Sequence, residues 1–312
     1  MDLINFSVPG NLLLMGEYSI LEEGGLGLSI AISERAYFTL KRSNKWRFFS
    51  KKTKAEDFVL VENEDDFVFK MFRYLKQRYF IDLEDVPCDV YIDTSVFFLA
   101  GGVKKGFGSS AVVAVGVVCG IFLLTGDVIY PKKDKIFTCC LEAYRYAQGG
   151  MGSGYDIVTS IFGGVVQFKG GNIPTYKFLK KMDLSDFYLM QGSKGVKTTS
   201  AIIKYGEHRA SLIDFIESMN NVMREIVPSS SNSYSCFLSS LEKAKKIGLE
   251  IGKRIGVSAD LPLNLAYLEN ECALIKALGA GNETFLVHKP NFEVFDQFNL
   301  SSINLDLDGV RL

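Results

Sequence analysis

Histidine is nearly absent: the 312 residues hold two, His208 and His288. The six cysteines, Cys88, Cys119, Cys139, Cys140, Cys236 and Cys272, include no Cys-x-x-Cys pair. Structural zinc draws its ligands from such pairs and from histidine, so both scarcities argue against it, and the cysteine spacing fits a reducing, intracellular compartment. Neither charge is in excess: 35 Lys and Arg face 36 Asp and Glu, interleaved, for a net charge of −1. A basic nucleic-acid surface is not encoded there. The amino terminus, MDLINFSVPGN, has no basic stretch ahead of an apolar run and does not read as a signal peptide. Long repeats and low-complexity tracts are missing as well. The longest uncharged stretch, Ser109 to Gly126, opens on two serines and contains Gly116, Gly120 and Gly126. It reads as a buried helix rather than a membrane span. A cytoplasmic, soluble protein without membrane or nucleic-acid partners is expected.

Apolar residues are plentiful at 47%, with 24 Phe and 14 Tyr. At this length one core gives way to two, so two lobes are expected, with a boundary near Gly170 where the composition turns more polar. Alternating and helical spacings predict a strand, turn and strand over 6–31 with a Pro9-Gly10 turn, strands over 32–49, a helix over 65–79 and a strand over 87–99. They also predict helices over 111–124, 135–147, 211–226, 234–255 and 264–278, with strands at 165–168, 187–190 and 284–288. The valine-rich run behind Ser110 favours a strand by propensity and a helix by length; the length decides for helix.

Three loops rich in small donors punctuate this pattern. Lys104-Lys105-Gly106-Phe107-Gly108-Ser109-Ser110 empties into the apolar run. Glycines there would let backbone N–H groups approach an anion, and the start of a helix adds unpaired donors. An ordinary tight turn before a core element has the same composition, and the stretch alone leaves both readings open. A second cluster, Gly149 to Asp156, contains a single acid, Asp156. The third, Gln191 to Ser200, follows a short strand.

Taken together, these segments resemble the GHMP kinase superfamily, the small-molecule kinases of galactose, homoserine, mevalonate and phosphomevalonate. PGNLLLMGEY at 9–18 matches the first motif, KKGFGSSA at 104–111 the ATP-phosphate loop, GSGYDIVTSIFGG at 152–164 the acid-bearing segment, and GAGNETFLV at 279–287, weakly, the third motif. The resemblance implies an α+β, two-lobed fold of mixed sheets packed with helices, residues 1–170 forming the N-terminal ATP-binding domain and 171–312 the C-terminal domain. Tyr18 after Gly-Glu and Lys104 before the phosphate loop are similar to the phosphomevalonate kinases within the superfamily. Mevalonate kinase, or an inactive binding protein of the same fold, is the alternative.

That resemblance further implies ATP and Mg²⁺ as cofactors and a small-molecule substrate, phosphomevalonate, for a monomer or homodimer. Gly106, Phe107, Gly108, Ser109 and Ser110 would hold the nucleotide, with Ser110 on the metal. Lys104 and Asp156 would be catalytic. Asn11, Glu17, Tyr18, Ser153 and Thr199 would hold the substrate, although Glu17 also suits a structural role in its turn. Lys105 reads as a surface charge, Glu142 as a solvated helix position rather than a second metal contact, and the histidines receive no role. Asn11 stands where the family commonly has lysine, and Asn282 and Glu283 interrupt the third glycine motif.

Overall fold

The computed structural model describes residues 3–79, 81–126, 129–179, 182–192, 198–226, 233–279 and 281–312. The chain forms two compact units that interleave along the sequence: residues 1–11, 31–164 and 305–312 make the first, and 12–30 with 165–304 the second.

The first unit takes the leading part of β1 (Leu3–Met15) and the trailing part of β2 (Leu26–Arg42), followed by β3 (Arg47–Lys51), β4 (Val59–Leu60), α1 (Phe67–Arg78), β5 (Cys88–Asp93), α2 (Ser109–Leu124), α3 (Lys133–Ala147) and α4 (Tyr155–Phe162). Its strands run β4-β3-β5-β2; β3 and β5 are parallel and the other pairs antiparallel. Asp66 starts α1 by accepting from the Val68 N–H at 3.0 Å. Helix α2 is buried on almost every side, which explains how valine-rich sequence sustains a helix: packing outweighs a small propensity deficit. Gly116 and Gly120 let it settle on β2, since a Cβ at Gly116 would lie 2.0 Å from the Phe38 ring. The final residues close this unit. Arg35 pairs with the buried Asp306 and donates to Gly309 O at 2.7 Å, while Ser7 and Arg311 exchange backbone hydrogen bonds.

In the second unit the leading part of β2 pairs with β6 (Val165–Lys169), which pairs with β7 (Thr175–Leu179), both antiparallel. A separate sheet follows the order β11-β8-β10-β9, built from β8 (Phe187–Gln191), β9 (Cys272–Ala277), β10 (Thr284–Pro290) and β11 (Ser301–Ser302). The helices are α5 (Thr198–His208), α6 (Ile213–Ile226), α7 (Ser233–Ile255) and the short α8 (Phe292–Phe295). Among the described residues no helix is long and apolar enough to cross a membrane.

Three local expectations change. Pro9-Gly10 is no turn but part of β1; glycine is needed there because a Cβ would meet Phe97 at 2.9 Å and Phe107 O at 3.1 Å. The helix expected over 264–278 is a 3-10 segment, Leu263–Asn270, followed by β9. Its pairing with β10, from Phe285 opposite Ala277 to Pro290 opposite Cys272, overrides a spacing compatible with either element. The expected loop through Ser200 already turns helical at Thr198, and 193–197 lie outside the described residues.

Candidate active site

The loop before α2 has the geometry of an anion site. Gly106 and Gly108 have φ of 74° and 73°, a left-handed geometry that side chains resist. Gly108 is the N-cap of α2, and no side chain caps this helix end. Among the described residues none accepts from the backbone N–H groups of Gly106 through Ala111; the first one bonded is Val112, to Gly108 O at 3.1 Å. Consecutive free donors at the positive end of a 16-residue helix suit a polyphosphate. Ser109 and Ser110 are half-buried in the first turn, and Phe107, 3% exposed, anchors the loop in the core. The two lysines differ. Lys104 is exposed and forms a backbone bridge with Phe98, whereas Lys105 is half-buried with its Nζ 5.9 Å from the Phe107 ring centre.

In the same unit, α4 starts in a similar way behind Gly152 and Gly154, with φ of 124° and 95°. A side chain at Gly154 would strike Leu141 at 2.7 Å. Asp156 lies half-buried in the first turn, its Oδ1 accepting from the Ile157 N–H at 3.0 Å. Burial pushes its carboxyl up to about 6, against the pull of that N–H. The shift of the Asp156 carboxyl comes from burial and backbone N–H groups alone, with no contribution from Lys104. Ser153 is buried just ahead of α4. Asn11, expected to touch substrate, is 1% exposed: its Nδ2 donates to Ser160 Oγ at 3.0 Å and its Oδ1 has no partner among the described residues. Glu142 is not a solvated position. It accepts from the Tyr74 and Tyr79 hydroxyls at 2.9 and 2.6 Å, which explains its place on a partly buried helix face. Among the described residues no three of His, Cys, Asp and Glu gather as metal ligands.

The second unit holds Glu17, Tyr18 and Thr199. Gly16, with φ of 99°, ends β1, and Tyr18 has φ of 62°, an outlier for an aromatic residue. Glu17 is buried and ion-paired with Lys276 of β9, which also donates to Ala277 O at 2.9 Å. Burial raises the Glu17 carboxyl and Lys276 opposes that rise; Glu17 Oε2 has no partner among the described residues. The Tyr18 ring stacks on Tyr205 of α5 at 5.3 Å. Tyr205 in turn donates to Glu22 at 2.7 Å, and Arg209 pairs with the same carboxylate. Thr199 is half-buried in the first turn of α5. The degenerate third motif has a packing role: a Cβ at Gly192 would lie 1.7 Å from Asn282 O, and the Gly192 N–H donates to Glu283 O at 2.7 Å.

Sequence reasoning missed Lys276, Tyr205, Glu22 and Arg209. For Lys276 a signal existed, a lone lysine inside CALIKAL, since a charge amid apolar residues requires a partner. His288, given no role, is buried against Tyr234, whose hydroxyl lies 2.8 Å from Nε2.

Residues 66–164, which include both the α2 loop and Asp156, match the family described as GHMP kinases N terminal domain. The phosphomevalonate kinase of Saccharolobus solfataricus is 29% identical over 233 residues, covering 72% of this chain and 68% of that protein. Among solved structures, Streptococcus pneumoniae phosphomevalonate kinase in complex with phosphomevalonate and AMPPNP aligns with a TM-score of 0.80 at 16% identity, over 97% of this chain and 99% of that one. Methanococcus jannaschii mevalonate kinase aligns with a TM-score of 0.70 at 14% identity, over 99% and 98%. The chain therefore has the mixed α/β fold of the GHMP kinases, carries their N-terminal domain and is similar to phosphomevalonate kinase.

Proposed function

We propose that this chain is an ATP-dependent phosphomevalonate kinase, moving the γ-phosphoryl group of ATP onto the phosphate of 5-phosphomevalonate to give 5-diphosphomevalonate on the mevalonate route to isoprenoids. The observation that carries the kinase reading is the run of free N–H donors from Gly106 to Ala111 at the head of α2, in the same unit as Asp156. The choice of acceptor is supported by the similarity to the Saccharolobus enzyme. In this reading residues 1–170 are the ATP-binding domain and 171–312 the C-terminal domain of a GHMP kinase.

A phosphate acceptor has a second pKa of about 6 and is already a nucleophile at neutral pH. No strong base is required; the obstacle is repulsion between two anions, which positioned positive charge relieves. One ammonium about 4 Å from a phosphate oxygen is worth roughly 4 kcal/mol at an effective dielectric near 20. Lys104, exposed at the loop and in no ion pair among the described residues, suits that role. In this reading Asp156 and Lys104, unpaired in the free chain, come together once both anions are bound, the carboxylate orienting the ammonium; Ser153 in the first unit, and Glu17, Tyr18 and Thr199 in the second, are assigned to the acceptor. Mg²⁺ takes few protein oxygens beside phosphates and water, so the Ser110 hydroxyl fits it without an acidic cluster; when bound it neutralises charge on the transferring phosphates.

ADP release measured in parallel with phosphomevalonate, mevalonate and homoserine tests this reading. Turnover of phosphomevalonate alone is expected. Turnover of mevalonate alone would move the assignment to mevalonate kinase, and no turnover of any acceptor would overturn the kinase reading.

A further inference from the structure

Asn11 breaks the pattern of the resembled family, and its surroundings give it a definite task. Its backbone N–H donates to Phe107 O at 3.1 Å, inside the α2 loop. Its carboxamide lies against the back of Gly108: a Cβ built there would be 2.2 Å from Nδ2 and 2.5 Å from Oδ1. The same Nδ2 donates to Ser160 Oγ at 3.0 Å. Ser160, fully buried on α4, is one helical turn beyond Asp156, and residues four apart share a helix face.

One side chain thus touches the loop with the free N–H donors and the helix that carries the acid. A lysine in this place would bring a mobile charge, whereas the short carboxamide brings a contact of fixed length. Its Oδ1 is buried without a partner, although nearly all buried acceptors find one. The nearest loop N–H groups are therefore not spent on Asn11 and stay available to an anion.

We propose that Asn11 is a positioning residue for phosphoryl transfer: it props Gly108 from behind and, through Ser160, sets the spacing between the nucleotide loop and Asp156. It reaches neither nucleotide nor acceptor itself. The proposal rests on the nucleotide-loop reading above but on no particular acceptor.

The test is direct binding of MgADP and MgATP by calorimetry, beside steady-state kinetics, in the full chain. Asn11→Asp keeps the shape and exchanges the amide for a carboxyl pressed against Gly108. At pH 8 its ionised form repels the phosphates, and nucleotide Kd is expected to rise at least tenfold. As the pH falls towards 5.5 the buried carboxyl takes up a proton, donates to Ser160 as the amide did, and the Kd is expected to return to within threefold of the unsubstituted protein. Circular dichroism at both pH values separates this from a residue that serves only to stabilise the fold: a carboxylate that merely unfolded the chain would lose structure and binding together at pH 8, whereas the structure is expected to persist while the Kd rises. Ser160→Ala removes the link to α4 and leaves the loop contact, so kcat is expected to drop at least tenfold with nucleotide Kd changed less than threefold. Nucleotide Kd for Asn11→Asp within twofold of the unsubstituted protein at both pH values, or kcat for Ser160→Ala unchanged, overturns the proposal. Should Asn11→Asp not fold, Asn11→Ser, smaller and neutral, takes its place, with weakened nucleotide binding expected and unchanged binding overturning. Failure of the unsubstituted protein to bind nucleotide at all overturns the kinase reading as well, which separates the two.

Discussion

Lys276→Met is the most informative substitution in the second unit. Lys276 and Glu17 are 3% and 5% exposed and paired with each other, and Glu17 Oε2 has no other partner. Methionine matches the length of the lysine stem but removes the charge, leaving a buried carboxylate uncompensated. Breaking a buried pair from one side costs about 3–5 kcal/mol, or roughly two to three and a half powers of ten in the folded-to-unfolded ratio. The loss depends on pH. Burial holds the Glu17 pKa above its ordinary 4.5 even with Lys276 beside it, and without Lys276 it climbs further. The folded chain then binds this proton more tightly than the unfolded chain, so stability falls as pH rises from about 4.5 through the folded value. Lys276→Met should accordingly be much less damaging at pH 5 than at pH 8. Combining it with Glu17→Gln should restore most of the loss, because replacing both charges is often close to neutral. Urea unfolding followed by circular dichroism, with hydrogen exchange at the amides of β9 and β10, reports this loss. A Lys276→Met protein within about 1 kcal/mol of the parent at pH 8, or a double variant less stable than either single one, would refute the reasoning.

Gly108→Ala should abolish measurable nucleotide binding, because φ there is 73° and the new methyl group would lie 2.2 Å from Asn11 Nδ2; ordinary affinity in a binding titration would contradict the loop geometry. Asp156, pushed up to about 6, acts as a carboxylate in the proposed mechanism, and the acceptor phosphate ionises in the same range, so kcat/KM should rise with pH through an acid limb near 6, and a flat profile across that range would contradict both assignments. Because the folded pKa stands above the unfolded 3.8, Asp156 also makes the protein less stable as pH rises between those values. Asp156→Asn should therefore raise the unfolding midpoint at pH 8 while destroying activity, and a lowered midpoint would count against a costly buried carboxylate. Lys104→Ala should cut kcat at least a hundredfold without loss of structure by circular dichroism, and Lys105→Ala far less; the reverse ranking would exchange their roles.

Local chemistry made some of this readable in advance. The glycine and serine turn before α2 needs backbone freedom and free donors, and both are written in residue type. The length of the run from Ala111 to Leu124 identified the helix against its valine content. Segment 272–277 was not readable, because its strand state depends on β10 and that pairing partner comes later in the chain. Pro9-Gly10 misled for a related reason: glycine there serves a close approach by Phe97 and Phe107, which are distant in sequence. Among site residues, the motif acids could be named but their partners could not. Glu17 needed Lys276, and Asn11 needed Ser160, each more than a hundred residues away.

The closure of the first unit by residues 305–312 has a bearing on synthesis. A ribosome delivers the loop at Gly106–Ser110 roughly 200 residues before it delivers Asp306, an interval of about 10–40 s at ordinary elongation rates. During that interval Arg35 has been made and its buried counter-charge has not. The first unit therefore waits, incomplete, for residues 305–312. A stop codon ahead of Leu305 would damage the part of the protein that was translated first.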